Sequence, residues 1–225
     1  MNIIEMINVR KSFKGILLLN HVNAFFQQGK IYGITGSNGS GKSVLFKLIC
    51  RFINPDEGEI RIHPDYFSKG SDFPSNFGIL IDRPGYMAGL TGFENLKRWA
   101  EIQHQITDRD IRETMQLVGL DPAATQKMKS YSLGMKQKIA LAQAIMENQK
   151  VLILDEPFNA LDADSVKNIR KLLLRFKQEG KTILMTSHNQ EDIDLLCDHV
   201  YQIRNQTLEL LASTSAISEA KSEFK

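Results

Sequence analysis

The chain has 225 residues, of which 42% are hydrophobic and 24% charged, and it carries a formal net charge of +2. These values are typical of a globular protein with a substantial core; they exclude a disordered chain, and the small net charge argues against nucleic acid as the main partner. The apolar runs are too short for a membrane helix and the N-terminus lacks the pattern of a signal peptide, so we expect a cytosolic protein.

Two β segments are predicted near the N-terminus, over residues 2–13 and 21–28, paired antiparallel around a turn at Lys14-Gly15. Phe13 lies just before this turn, where an aromatic ring could stack on an adenine base. By position alone, a role in the core is the commoner alternative for such a ring.

A glycine-rich stretch from Gly36 to Ser43 follows an apolar run and precedes residues with helical spacing, which is the context of a Walker A loop. Its backbone N–H groups and the positive end of the next helix favour phosphate. Lys42 is predicted to contact the β and γ phosphates, and Ser43 to bind Mg²⁺. A flexible Gly/Ser loop is the alternative. The predicted nucleotide-binding residues of this stretch are Gly36, Ser37, Asn38, Gly39, Ser40, Gly41, Lys42, Ser43 and Val44.

The middle of the chain changes from strand to helix patterns. Residues 77–81 are apolar and predict a strand that ends on Asp82. Helices are then predicted over 95–106, 108–118 and 132–146. We therefore predict a helical subdomain over 83–149, inserted into a core made of 1–82 and 150–225.

The run Val151 to Leu154 is continuously apolar, as expected for a parallel strand covered on both faces, and leads directly into Asp155 and Glu156. In an open α/β sheet, ligands bind at the carboxyl ends of the strands, so these acids should lie beside the glycine-rich loop. Asp155 is predicted to hold Mg²⁺ through water, and Glu156 to act as general base for the attacking water. A pair of acids at a helix N-terminus is the alternative.

The last third of the chain predicts a helix over 164–179, a strand over 181–188, a short helix over 192–197 and a terminal hairpin, followed by a polar and frayed tail over 213–225. His188 ends the strand at the same edge of the sheet, where structural and functional roles are equally expected. Cys50 and Cys197 fit no metal spacing and are interpreted as reduced structural thiols.

Together, these motifs resemble the ATP-binding subunits of ABC transporters over nearly the whole chain. The segment from Tyr131 to Gln137 resembles the ABC signature in a variant with Leu and Met at its centre. Its Ser132 is also suited to cap a helix. The resemblance implies an α/β fold: a P-loop NTPase core with a mostly parallel sheet, an N-terminal antiparallel β segment and an inserted helical subdomain.

The resemblance further implies an ATPase with ATP and Mg²⁺ as cofactors. It assigns Phe13 to adenine stacking, residues 159–162 to the D-loop, and His188 to contact with the γ-phosphate. ATP would lie between two subunits, with Ser132 and Gly134 of one facing the γ-phosphate held by the other. The implied partners are a second ATP-binding subunit, in a homodimer or heterodimer, and a separate transmembrane permease that places the chain on the inner face of the membrane.

One residue departs from the family pattern, because Asp82 stands where a Gln is usual. An acid there could approach Mg²⁺, so the predicted metal ligands are Ser43, Asp155 and Asp82, with Arg83 offsetting the added charge. Exporters of the bacitracin and lantibiotic type often share this acid and the signature variant. We therefore favour an exporter of a peptide antibiotic, drug or lipid-like substrate.

The permease is expected to dock around residues 83–99, where Tyr86, Phe93 and Trp99 are available. Two other functions remain open. One is a soluble, non-transport ABC protein that acts on ribosomes or nucleic acid, and the other is a binding module that has lost hydrolysis.

Overall fold

The computed structural model describes residues 1–68, 70–82 and 85–211. Arg83 and the tail over 213–225, both subjects of predictions above, lie outside these residues. Among the described residues, no helix combines the length and apolar character that crossing a membrane requires.

The described elements follow one another in an α/β order. The strands are β1 (Asn2–Phe13), β2 (Ile16–Gln27), β3 (Ile31–Thr35), β4 (Glu57–Ile62), β5 (Phe77–Leu80), β6 (Val151–Leu154), β7 (Thr182–Met185), β8 (His199–Arg204) and β9 (Thr207–Leu211). The α-helices are α1 (Lys42–Ile49), α2 (Gly92–Gln103), α3 (Asp108–Leu117), α4 (Leu133–Ile145), α5 (Ala163–Gln178) and α6 (Gln190–Leu196). Short 3₁₀ turns lie at Pro64–Tyr66 and Met128–Ser130.

The strands form two sheets. A three-stranded antiparallel sheet has the order β2-β1-β4, and a six-stranded sheet has the order β5-β6-β7-β3-β8-β9. In the larger sheet all neighbours are parallel except β8 and β9. The predicted α/β fold, with an N-terminal antiparallel segment and a mostly parallel sheet, is confirmed.

The larger sheet separates two hydrophobic cores. Leu152 and Leu154 of β6 pack with helices α2 to α5, whereas Val151 and Ile153 pack with α1 and the smaller sheet. All four side chains are buried, because successive residues of a strand point to opposite faces and both faces are covered. The continuous apolar run therefore has the structural cause predicted for it.

Several element boundaries differ from the predictions. Strand β2 begins at Ile16 rather than 21, because its pairing with β1 continues to the turn, where Phe13 lies opposite Ile16. Helix α2 begins at Gly92 rather than 95, because Thr91 and Glu94 form a reciprocal capping box. Helix α6 begins at Gln190 rather than 192, because the Asn189 side chain caps it.

Helices α2, α3 and α4 pack on one another, and α4 also packs on β5. Their buried residues belong to the same core as residues of β6 and β7. The division into a core and a subdomain at residues 83 and 149 stays a prediction. Cys50 and Cys197 are both buried thiols, as predicted, and burial raises the pKa of each to about 12.

Candidate functional site

The glycine-rich loop connects β3 to α1, as the sequence predicts. Gly41 caps α1 with a φ of 106°, in the left-handed region that glycine tolerates. A Cβ atom on Gly36 would lie 2.7 Å from Ser40 Oγ, so the loop closes tightly on itself at its first residue. Ser40 Oγ is buried and lacks a hydrogen-bond partner among the described residues. The loop thus holds an unused hydroxyl beside its N–H groups, which suits the oxygens of a phosphate chain.

Lys42 is held over the loop. Its Nζ donates hydrogen bonds to the carbonyl oxygens of Gly36, at 2.8 Å, and Ser37, at 3.1 Å. The ammonium group therefore lies above the loop. Its predicted contact with the β and γ phosphates stays a prediction.

Two of the predicted metal ligands meet although they are far apart in sequence. Ser43 Oγ donates to Asp155 Oδ2 at 2.5 Å, and Thr186 Oγ1 donates to Asp155 Oδ1 at 2.7 Å. Hydroxyl and carboxylate oxygens are the ligands that Mg²⁺ prefers. The described residues contain no group of three or more His, Cys, Asp or Glu side chains that could hold a metal by themselves. The site therefore fits a cation that completes its coordination with phosphate oxygens and water, as Mg²⁺ does in nucleotide sites.

Glu156 and His188 form a pair beside this site. His188 Nε2 lies 3.1 Å from Glu156 Oε1, an oxygen that is buried and has no well-directed hydrogen bond. Burial raises the pKa of the Glu156 carboxyl and the nearby Asp155 raises it further, against the opposing effects of His188 and Lys42. A carboxyl whose pKa is moved towards neutrality is suited to proton transfer.

Asp82 lies two residues after the end of β5 and pairs with a residue that the sequence did not single out. Its Oδ2 is 2.6 Å from the Nζ of Lys47, on the last turn of α1. Lys47 therefore supplies positive charge beside Asp82, and the same role predicted for Arg83 stays a prediction. Asp82, Asp155 and Glu156 line one cavity of about 670 Å³, so the structure brings the three acids to the same space.

Ser132 and Gly134 lie at the start of α4. Ser132 Oγ accepts a hydrogen bond from the Met135 N–H at 3.1 Å, so Ser132 is the predicted helix cap. A Cβ atom on Gly134 would lie 2.6 Å from the carbonyl oxygen of Ala160, which places α4 against the segment after Glu156. Ser132 itself is exposed. Neither residue lies in the cavity that holds the acids of the same chain.

Phe13 ends β1 with 54% of its side chain exposed. Lys14 Nζ lies 5.9 Å from the centre of its ring. The core alternative for this ring is wrong, because it lies at the exposed end of the β1–β2 hairpin, where Phe13 is opposite Ile16. An exposed aromatic ring is available to stack on a base.

The sequence predicted no role at this site for two further residues, Thr186 and Gln137, the last residue of the signature segment. Thr186 is fully buried, and its hydroxyl accepts a hydrogen bond from the Glu156 N–H at 2.8 Å besides donating to Asp155. Gln137 donates from Nε2 to the Glu156 carbonyl oxygen at 3.0 Å. Thr186 is part of a strand pattern and Gln137 of a helix pattern, so only the packing of these elements reveals their partners.

Comparison with known proteins gives concordant results. The family model described as ABC transporter matches residues 19–159. The chain is 38% identical over 206 residues to the uncharacterized ABC transporter ATP-binding protein YybJ of Bacillus subtilis (strain 168), covering 92% of this chain and 94% of that protein. It is 34% identical over 198 residues to the bacitracin transport ATP-binding protein BcrA of Enterococcus faecalis, covering 87% of this chain and 64% of that protein.

Another relative is the lantibiotic transport ATP-binding protein SrtF of Streptococcus pyogenes. It is 31% identical over 193 residues, and the match covers 86% of this chain and 83% of that protein. Among solved structures, an ATP-binding subunit of an ABC transporter superimposes with a TM-score of 0.83 at 21% identity, covering 98% of this chain and 93% of that one. The dimeric cassette MJ0796, bound to ADP and Pi after hydrolysis, gives 0.81 at 22% identity, covering 94% and 98%. At these identities the structural likeness establishes the fold.

Proposed function

Because the chain belongs to the ABC transporter family as an ATP-binding subunit, a class of ATPases, we propose that it binds Mg-ATP and drives a separate membrane permease. The observation that carries this proposal is the convergence of Lys42, Ser43, Asp155, Glu156 and His188 at one edge of the sheet. All five side chains offer groups that ATP hydrolysis requires.

In the proposed mechanism, the backbone N–H groups of the loop and Lys42 bind the phosphates, while Phe13 stacks on the adenine. Ser43 and Asp155 would hold Mg²⁺, which supplies positive charge to the phosphate oxygens. Asp82 remains a candidate that would bind Mg²⁺ through a water molecule, because its carboxylate forms an ion pair with Lys47. Glu156 takes a proton from the attacking water and becomes neutral, while the negative charge passes to the water oxygen that attacks the phosphate. His188 is proposed to contact the γ-phosphate and stabilise its negative charge.

Hydrolysis in this proposal needs a second subunit. Ser132 is exposed at the N-terminal end of α4, where the helix dipole and free N–H groups favour a negative ligand. At this end of the helix, Leu133 lines the cavity of the acids in its own chain, but Ser132 and Gly134 do not. We propose that it faces the γ-phosphate of ATP held by the partner, which is a homologous or an identical subunit.

The permease is proposed to dock beside α2, on the inner face of the membrane. Tyr86 and Trp99 are 42% and 39% exposed, so both are available to a partner. Phe93 is partly buried in the core and covered by the Arg112 guanidinium, 4.2 Å from the ring centre, so it contributes less. This contact would place the chain on the cytoplasmic side of the membrane.

We propose export of a peptide antibiotic, drug or lipid-like substrate. The support is the likeness to relatives named for bacitracin and lantibiotic transport, together with the signature variant and Asp82. A soluble ABC protein that acts on ribosomes or nucleic acid is the second candidate, but no observation on the structure favours it.

The test uses purified chain and the Glu156→Gln variant. We expect slow ATP hydrolysis that the variant loses by at least about a hundredfold, while it keeps ATP affinity, because only the proton-accepting group is removed. Undiminished turnover would remove Glu156 as base. Co-purification with a multispan membrane protein supports a role in transport. Co-sedimentation with ribosomes, without such a membrane protein, would instead support the soluble ABC protein that acts on ribosomes or nucleic acid.

A further inference from the structure

The backbone of Glu156 is strained. Its φ is 52°, in the left-handed region that residues with a Cβ atom rarely adopt. The next residue is Pro157, and a proline pushes the residue before it towards extended conformations. Both effects oppose the observed backbone, so surrounding groups must hold it in place.

Two side chains from different elements hold the peptide groups on either side of Glu156. Thr186, the residue directly after β7, accepts a hydrogen bond through Oγ1 from the Glu156 N–H at 2.8 Å and donates one to Asp155 Oδ1 at 2.7 Å. Gln137 Nε2, on α4, donates to the Glu156 carbonyl oxygen at 3.0 Å. The N–H and C=O of the strained residue are thus each fixed by one side chain.

We propose that Thr186 and Gln137 are positioning residues for the general base, and we name the pair the Glu156 clamp. The proposal rests on the proposed role of Glu156. The clamp aims the carboxylate by fixing the backbone that carries it, and Thr186 fixes Asp155 in the same way. The hydrogen bonds of both residues to Glu156 involve its backbone and not its carboxylate.

The clamp also connects two parts of the site within one chain. Gln137 lies on the helix that begins at Ser132, the end proposed to face the partner's nucleotide. A displacement of α4 would therefore pull on the Glu156 carbonyl through Gln137. In this way the base is in its working geometry only when α4 is in its proper place.

The test at β7 replaces Thr186 by Val, which keeps the shape and removes the hydroxyl. We expect kcat to fall about tenfold or more with KM for ATP within about twofold, because the phosphate loop is untouched while the base loses its orientation. Half-maximal activity should also require more Mg²⁺, because Asp155 loses a hydrogen bond. Thr186→Ser keeps the hydroxyl, so we expect its kcat to stay close to that of the parent.

Thr182→Val is the matched control. Thr182 is also fully buried on β7, and its hydroxyl also accepts a backbone hydrogen bond, from Gly29 at 2.9 Å, but at the opposite end of the strand. It should lower stability as Thr186→Val does and leave kcat unchanged. Equal losses of kcat in both variants would reduce Thr186 to a structural residue.

The test at α4 replaces Gln137 by Met, which we expect to lower kcat without changing the Mg²⁺ requirement, because it frees the Glu156 carbonyl alone. Amide hydrogen exchange at Glu156 should accelerate in Thr186→Val but not in Thr182→Val. Turnover within about twofold of the parent in both clamp variants, with Glu156→Gln inactive, would overturn the clamp alone. Full turnover in Glu156→Gln would overturn both the assignment of Glu156 as general base and the positioning role of the Glu156 clamp.

Discussion

At Glu156, burial and the neighbouring positive charges shift the pKa of the carboxyl group in opposite directions. Burial raises its pKa, and the positive charges of His188 and Lys42 lower it by less. In the folded protein the group therefore holds its proton to a higher pH than in the unfolded chain. Ionised Glu156 is thus destabilising, which is a common cost at a catalytic position.

This balance predicts a pH-dependent gain in stability for Glu156→Gln. Below the pKa of the unfolded chain both states are protonated and the variant gains nothing. As the pH rises through the raised pKa, the parent alone acquires the buried charge, so we expect the variant to be the more stable at pH 8 by urea unfolding. Glu94→Gln should show the opposite pH dependence. Hydrogen bonds from Thr91 and Lys127 lower the pKa of Glu94, so we expect this variant to be less stable than the parent at pH 8 and equally stable in acid, where Glu94 is protonated.

The ion pair of Lys47 and Asp82 gives a second prediction at the same scale. Lys47→Met would leave Asp82 uncompensated beside Asp155 and Glu156, so we expect KM for Mg-ATP to rise by up to about fivefold, the scale of a partly exposed pair. The effect should shrink at high salt, because exposed charges are screened. Adding Asp82→Gln to that variant should restore KM; a KM that stays high in the double variant would contradict this role for Lys47.

At the scale of the elements, β5 and α4 approach each other closely at Gly78. A Cβ atom on Gly78 would lie 1.8 Å from the carbonyl oxygen of Ala144, which no side-chain movement can relieve. We expect Gly78→Ala to lower the free energy of unfolding by about 3 kcal/mol or more, or to prevent folding. Gly89→Ala is the control, because its Cβ atom would meet nothing within 4 Å. Chemical unfolding of both variants measures the difference, and equal stabilities would contradict the packing.

The sequence predicts elements well where local signals agree with burial. The apolar run of β6 and the capping residue Ser132 each identify an element and its role. The start of β2 was misplaced because residues 16–20 alternate weakly and are defined by their partners in β1. The site follows the same rule: motifs identify Ser43 and Asp155, whereas no motif reveals which residues Thr186, Gln137 and Lys47 contact on other elements, although Gln137 ends the signature segment.

For the whole molecule, the exposed start of α4 is a surface that another subunit is proposed to use. Ser132→Asp tests it, because Asp is as good a helix cap as Ser but adds a negative charge opposite the partner's phosphate. In the Glu156→Gln background, ATP should produce dimers in sedimentation analysis, and Ser132→Asp should abolish them without lowering stability. Ser132→Asn keeps the cap without charge and should still dimerise. Unimpaired dimers with Ser132→Asp would place this surface outside the interface.

The position of β3 in the larger sheet has a consequence for synthesis on the ribosome. This strand carries the phosphate loop, yet both of its neighbours, β7 and β8, come from residues 182–204. The antiparallel sheet can form from the first 62 residues, but β3 has no hydrogen-bonded partner until most of the chain has emerged. Since long-range parallel pairing is slow, we expect the nucleotide cradle to assemble late, and nascent chains to capture ATP only after residues 182–204 have emerged.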